Sequence, residues 1–228
     1  MTDSELTLLA RCQKFERDFK NFFQQFIIND LIPVYRTLLS ERVEQYDTFS
    51  KCHLTLMLMD NAFSKNDVVV INQISREAIQ ARAELLVQFN EKLTRLESVL
   101  PDVLAERIPI QEAALELICL HECASFPEKI NSVSKNAGKK ALEVCPHFGQ
   151  IFERTKGDRE NFNSVITEKQ TNFYKTLNKK LDLLRELSSG GWPEETTGGI
   201  SKECQKRTEF MSGKIEKILV CVFGTNLS

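Results

Sequence analysis

The chain has 228 residues, 42% of them apolar, enough for one large domain or two small ones. Its 30 Lys and Arg stand against 32 Asp and Glu, a net charge of −2, so no global excess draws the whole chain to nucleic acid or membrane. Nine glycines are present and the first is Gly138; so long a stretch without glycine argues against tight-hairpin β folds and glycine-rich nucleotide loops, which need residues at positive φ.

The opening residues lack the continuous apolar core of a signal peptide. No window reaches the roughly 18 apolar residues of a membrane span. The nearest, Ile218 to Phe223, reads as the buried end of a last helix. Seven cysteines, at 12, 52, 119, 123, 145, 204 and 221, are odd in number and irregular in spacing. They suit unpaired thiols in a reducing compartment, and the cytoplasm is the expected location.

Leu8, Cys12, Phe15, Phe19, Phe22 and Phe26 recur in alternating steps of four and three, the seam of an amphipathic helix capped by Asp3 or Ser4. Phe23 sits beside the seam and widens its apolar face, which suits a core or a groove for a lipid or partner helix. Asn29 and Asp30 before Pro33 predict a kink or a break. A second helix follows from Leu31 to Ala62, with the apolar run Leu54 to Met59 expected to be deeply buried. Ser64 to Asp67 reads as a turn with a helix cap.

A third helix spans 68–100, with Ile71, Ile74, Ala78, Ala81 and Leu85 on one seam. Leu86, Phe89, Leu93, Leu96 and Leu100 continue it after a one-residue phase shift. Such a stripe suits packing within a bundle or a coiled coil with another chain. Pro101 and Pro109 bracket a connection before a fourth helix over 110–124. Pro127 sits in the first turn of a fifth helix ending near Val144.

A short piece around Phe148 to Arg154 leads to Gly157 and Asp158, the latter expected to cap a sixth helix over 159–187. Its buried stripe is Phe162, Val165, Ile166, Phe173, Leu177, Leu181 and Leu184. A Gly/Ser/Trp/Pro loop at 188–200 precedes a last helix over 201–222.

Charge is uneven beneath the balanced total. Residues 101–128 sum to −5 and residues 129–185 to +6, including Lys139, Lys140, Lys179 and Lys180. The two segments either complement each other within one bundle, the simpler reading, or present a basic face to an acidic partner.

Motifs with chemistry are few. Cys119, Cys123, Cys145 and His147 are the candidate metal ligands, needing the helix pair and the later joint to meet. Their spacing matches no familiar zinc module, and buried thiols are the competing reading. His53 reads as a packed or rim histidine. The chain carries no HExxH, GxSxG, P-loop, GxGxxG or EF-hand pattern. Glu143 and His147 come nearest to a di-iron pair, but they are four apart and Pro146 interrupts them. Trp192, the single tryptophan, either pins its loop or anchors a partner.

The pattern therefore predicts an all-α protein: an elongated antiparallel bundle of six or seven helices, several long, in a single domain over 1–228. Its early helices are similar to those of long-helix membrane-curving domains, from which Pro101, Pro109, Pro127 and Pro146 separate it later.

The expected function is non-enzymatic protein–protein interaction, of adaptor or scaffold type, with no cofactor. Trp192, Lys139, Lys140, Lys179 and Lys180 are the expected contact residues. One alternative is a peripheral membrane or acidic-lipid-binding module using 129–185; another is a Cys/His metal protein or enzyme. The expected partner is another protein, with an acidic membrane surface or a second copy as further options, and nucleic acid is not expected.

Overall fold

The computed structural model describes residues 24–104 and 122–189, together with residues 7, 10, 13, 14, 17, 206, 209, 213 and 216. Among the described residues the chain is all-helical and has no strand. A π-helical segment, Gln24–Leu31, runs into α1 (Ile32–Met59), and α2 (Lys65–Leu104) follows. A 3₁₀ turn, Glu122–Ser125, leads to α3 (Phe126–Val144), α4 (Phe148–Arg154) and α5 (Lys156–Ser189). Most of the expected first, fourth and last helices lies outside the described residues.

Local chemistry explains most of the boundaries. At Pro33 the chain neither breaks nor ends; it changes from π to α one residue before the proline, whose missing N–H costs the continuous helix one hydrogen bond. Ser64 and Asp67 cap α2 reciprocally. The Asp67 N–H donates to Ser64 Oγ at 3.1 Å, and the Ser64 N–H donates back to Asp67 Oδ2 at 2.8 Å.

Pro101 does not terminate α2, contrary to expectation. It removes one N–H near the helix end, and the helix continues for one last turn. Pro127 starts α3 as expected. The last long helix begins earlier than expected, at Lys156, because the Arg159 N–H already donates to the Thr155 carbonyl at 3.0 Å. Asp158 thus lies inside the first turn, where its charge still complements the helix dipole. At its other end α5 runs through Ser188 and Ser189, which were expected in the loop.

Burial corrects three stripes. In the apolar run from Leu54 to Met59 only Met57 is fully buried, while Leu58 and Met59 are 71% and 78% exposed. Six consecutive helical residues point all around the axis, so one run cannot face one core. In α5, Val165 is exposed although its neighbour Ile166 is buried. In α2 the buried row is Ile71, Ala78, Arg82, Phe89, Leu93 and Leu96, with Ala81 and Leu85 half-buried. The seam keeps its steps of four and three by passing through Arg82, and the inferred phase shift disappears.

The chain forms two compact units, residues 1–34, 95–124 and 173–228, and residues 35–94 and 125–172. In the first, Phe26, Leu31, Ile32, Leu96, Cys123, Phe173 and Leu177 are buried. In the second, contact partners step in opposite directions along α1 and α2: Tyr35 meets Phe89, and Asp47 meets Arg82. The same holds for α1 against α5, where Glu41 meets Lys169 and Tyr46 meets Phe162. One end of this unit closes on Met57, Phe63, Ile71, Ala141, Cys145, Phe148 and Ile151.

Candidate binding site

Polar side chains on the inner faces of the second unit cross-link its helices. Arg42 of α1 donates to Asn131 Oδ1 of α3 at 2.8 Å and to Gln170 Oε1 of α5 at 3.0 Å. Tyr46 OH donates to the same Asn131 oxygen at 3.0 Å. Burial raises the Tyr46 phenol above its ordinary value, although the nearby Arg42 and Arg82 charges pull it down. It stays protonated at neutral pH and acts as a donor.

Arg82 is the most deeply buried charge among the described residues. It gives Nε to Asp47 Oδ1 at 2.8 Å, Nη1 to Ser134 Oγ at 3.2 Å and Nη2 to Ser50 Oγ at 3.3 Å. Its stem occupies a core position while its head joins α1, α2 and α3.

One turn along α1 from Ser50, His53 is buried among aromatic rings. Phe49 stacks on it at 6.4 Å, and Phe148 and Phe152 meet it at 5.6 Å and 5.2 Å between centroids. Its Nε2 is 3.0 Å from Thr155 Oγ1, which also lies 3.1 Å from the Ile151 carbonyl oxygen. Nε2 and the Thr155 hydroxyl thus share a hydrogen bond whose donor depends on the ring tautomer. Burial, helped by the Arg159 charge, pushes its pKa from 6.5 down to about 4. The expectation of a packed histidine is met.

Tyr46, Ser50, His53, Arg82, Asn131 and Ser134 line a cleft of about 460 Å³ within the second unit. Phe49, Phe148, Phe152 and Phe162 supply aromatic wall, and Ile71, Ile74 and Leu142 supply aliphatic wall. The charged lining residues are Arg82, Lys135, Lys139 and Arg159, and no described carboxylate joins them. Arg159 lies over the Phe152 ring at 4.3 Å and donates Nη2 to the Phe152 carbonyl at 2.7 Å. Burial lowers its pKa from the ordinary guanidinium value, against the opposing charges of Glu153 and Glu160.

A second feature lies where α1 turns into α2. Leu58, Met59 and Val69 are all more than half exposed around the turn, and Val144 at the end of α3 is 53% exposed. These are large apolar side chains that the fold leaves to solvent.

The residues expected to form a site fare unevenly. Lys139 and Lys140 are exposed on α3, and Lys139 reaches the cleft. Lys179 is exposed on α5. The Lys180 side chain, Trp192 and Cys119 lie outside the described residues. Cys123 is a buried thiol in the 3₁₀ turn, Cys145 packs in the core beside Met57 and Phe63, and His147 is exposed before α4. Among the described residues no three His, Cys, Asp or Glu side chains come together as a metal site would require.

Sequence reading missed Arg82 and Arg159 as pocket residues. For Arg82 the signal was present in the register of α2, which places position 82 on the seam. For Arg159 nothing local marked it, because its position depends on α4 folding back over the start of α5. No described helix is long and apolar enough to cross a membrane. Compared with protein-family models, with curated proteins and with solved structures, the chain finds no match.

Proposed function

We propose that the chain is a non-enzymatic interaction protein of the cytoplasm: an elongated antiparallel bundle of six or seven helices that binds another protein. The observation that carries this reading is the group of exposed apolar side chains, Leu58, Met59 and Val69, around the α1–α2 turn. Monomeric surfaces carry scattered apolar residues, but a concentrated group rimmed by polar ones marks contact surfaces. Asp60, Lys65 and Asp67 form such a rim in the sequence around these three. Methionine at such a position adapts to a partner's shape. Lys139, Lys140, Lys179, Lys180 and Trp192 are proposed as further contact residues.

A photo-crosslinking residue at Met59, compared with one at the exposed Glu168 of α5, tests the reading in native extract. A defined adduct from position 59 that disappears on Leu58→Glu supports it. Identical adducts from both positions, or none from position 59, would refute it.

A further inference from the structure

We propose that the cleft of the second unit is a binding site for a small amphipathic anion, with an apolar body between the phenylalanine walls and an acidic head met by Lys135, Lys139 and Arg159. This goes beyond the protein-contact reading and stands independently of it.

Size comes first. About 460 Å³ falls within the roughly 300–1,000 Å³ of small-molecule sites, far more than one water needs. The walls then decide polarity. Phe49, Phe148, Phe152, Phe162, Ile74 and Leu142 would give little to a hydrated inorganic ion and much to a hydrocarbon or ring. Head-group sign follows from the charges. Arg82 is satisfied by Asp47, Ser50 and Ser134 and belongs to the framework.

Three cations are left. Lys135 and Lys139 stand one turn apart on α3, a like-charge pair that destabilises a helix unless something negative lies between them. Among the described residues neither forms an ion pair. Arg159 lines the cleft, gives Nη2 to the Phe152 carbonyl at 2.7 Å, and likewise forms no ion pair among the described residues. A neutral hydrocarbon would leave these groups unanswered, and an amphipathic cation would be repelled. An apolar body with one carboxylate or phosphate satisfies walls and charges together.

Delipidated full-length chain is titrated calorimetrically with dodecanoate, dodecanol and dodecyltrimethylammonium, each below its micelle concentration. Dodecanoate should bind at one site, roughly tenfold or more tighter than dodecanol, a step of about 1.4 kcal/mol, with the ammonium weakest. Lys135→Ala/Lys139→Ala changes two exposed residues, so it is expected to fold. It should lose most of the preference for dodecanoate over dodecanol. Lys51→Ala/Lys175→Ala removes the same charge from exposed positions outside the cleft and should keep it.

Ile74→Trp, which fills the cleft, should abolish binding of both ligands while the thermal transition persists. Vesicles carrying labelled phosphatidate identify the natural source. Extraction of the label points to a membrane lipid, and dodecanoate binding without extraction points to a free acid; both sustain the site. The proposal is overturned if dodecanoate and dodecanol bind equally, if the Lys135/Lys139 variant keeps the preference, or if nothing binds.

Discussion

Arg82 Nε lies 2.8 Å from Asp47 Oδ1, and Nη2 reaches the same oxygen at 2.7 Å. The Arg82 side chain is 1% exposed and the Asp47 side chain 21%. A charge so placed costs several kcal/mol to desolvate, and the pair tolerates it because Asp47 and two serine hydroxyls take up its N–H groups. The pair also sets register: α2 can dock only where position 82 meets position 47.

The pair should therefore be more costly to break than to replace. Asp47→Ala strands a buried cation and should destabilise the chain by about 3 kcal/mol. Arg82→Met keeps an apolar stem on the seam and removes the orphaned charge, so it should cost clearly less. Urea unfolding of both variants checks this, and equal losses would count against the burial argument.

His53 makes stability depend on pH. Its folded pKa of about 4 lies below the ordinary 6.5, so the unfolded chain takes up a proton that the folded chain refuses. The stability this histidine supports is whole above pH 6.5 and falls as pH drops toward 4, by about 3 kcal/mol across the window. His53→Gln lacks this proton, and its melting temperature should fall less steeply over the same range. Parallel curves for the two proteins would remove His53 from the account.

Gly138 sits inside α3 against the cleft wall. A Cβ there would stand 3.0 Å from Phe152 Cζ. Alanine in place of glycine should add about 1 kcal/mol of helix preference. Phe152, however, is held by Arg159 on its face and by edge contacts to Phe148, and it cannot move aside without disturbing both. Overpacking of this kind costs roughly 1–3 kcal/mol, so Gly138→Ala should lower stability on balance. Thermal denaturation gives the sign. A stabilised variant would mean that Phe152 yields freely.

Much of the helical order was legible because it rests on local chemistry. Ser64 and Asp67 announced the start of α2, and Pro127 the start of α3, since a cap or an N1 proline acts within one turn. Pro101 misled because a proline penalises a helix by one hydrogen bond, and a long helix packed elsewhere absorbs that loss. The run from Leu54 to Met59 misled for a different reason. Composition says how apolar a segment is, and only its packing says which side of the helix is covered.

The chain by itself determined an all-helical protein whose glycines are withheld until Gly138, with punctuation at 64 and 127 that the structure reproduces as helix starts. Those features depend on neighbours within a turn or so, and a sequence records such neighbours directly. Tertiary structure alone decided that Arg82 is core, that His53 is neutral among rings, and that Lys135, Lys139 and Arg159 border one apolar cleft. Each of those outcomes is set by the desolvation and partners supplied by residues up to more than 100 positions away, as His53 and Thr155 show. The mild excess of positive charge in 129–185 thereby acquires a location: part of it lines the cleft.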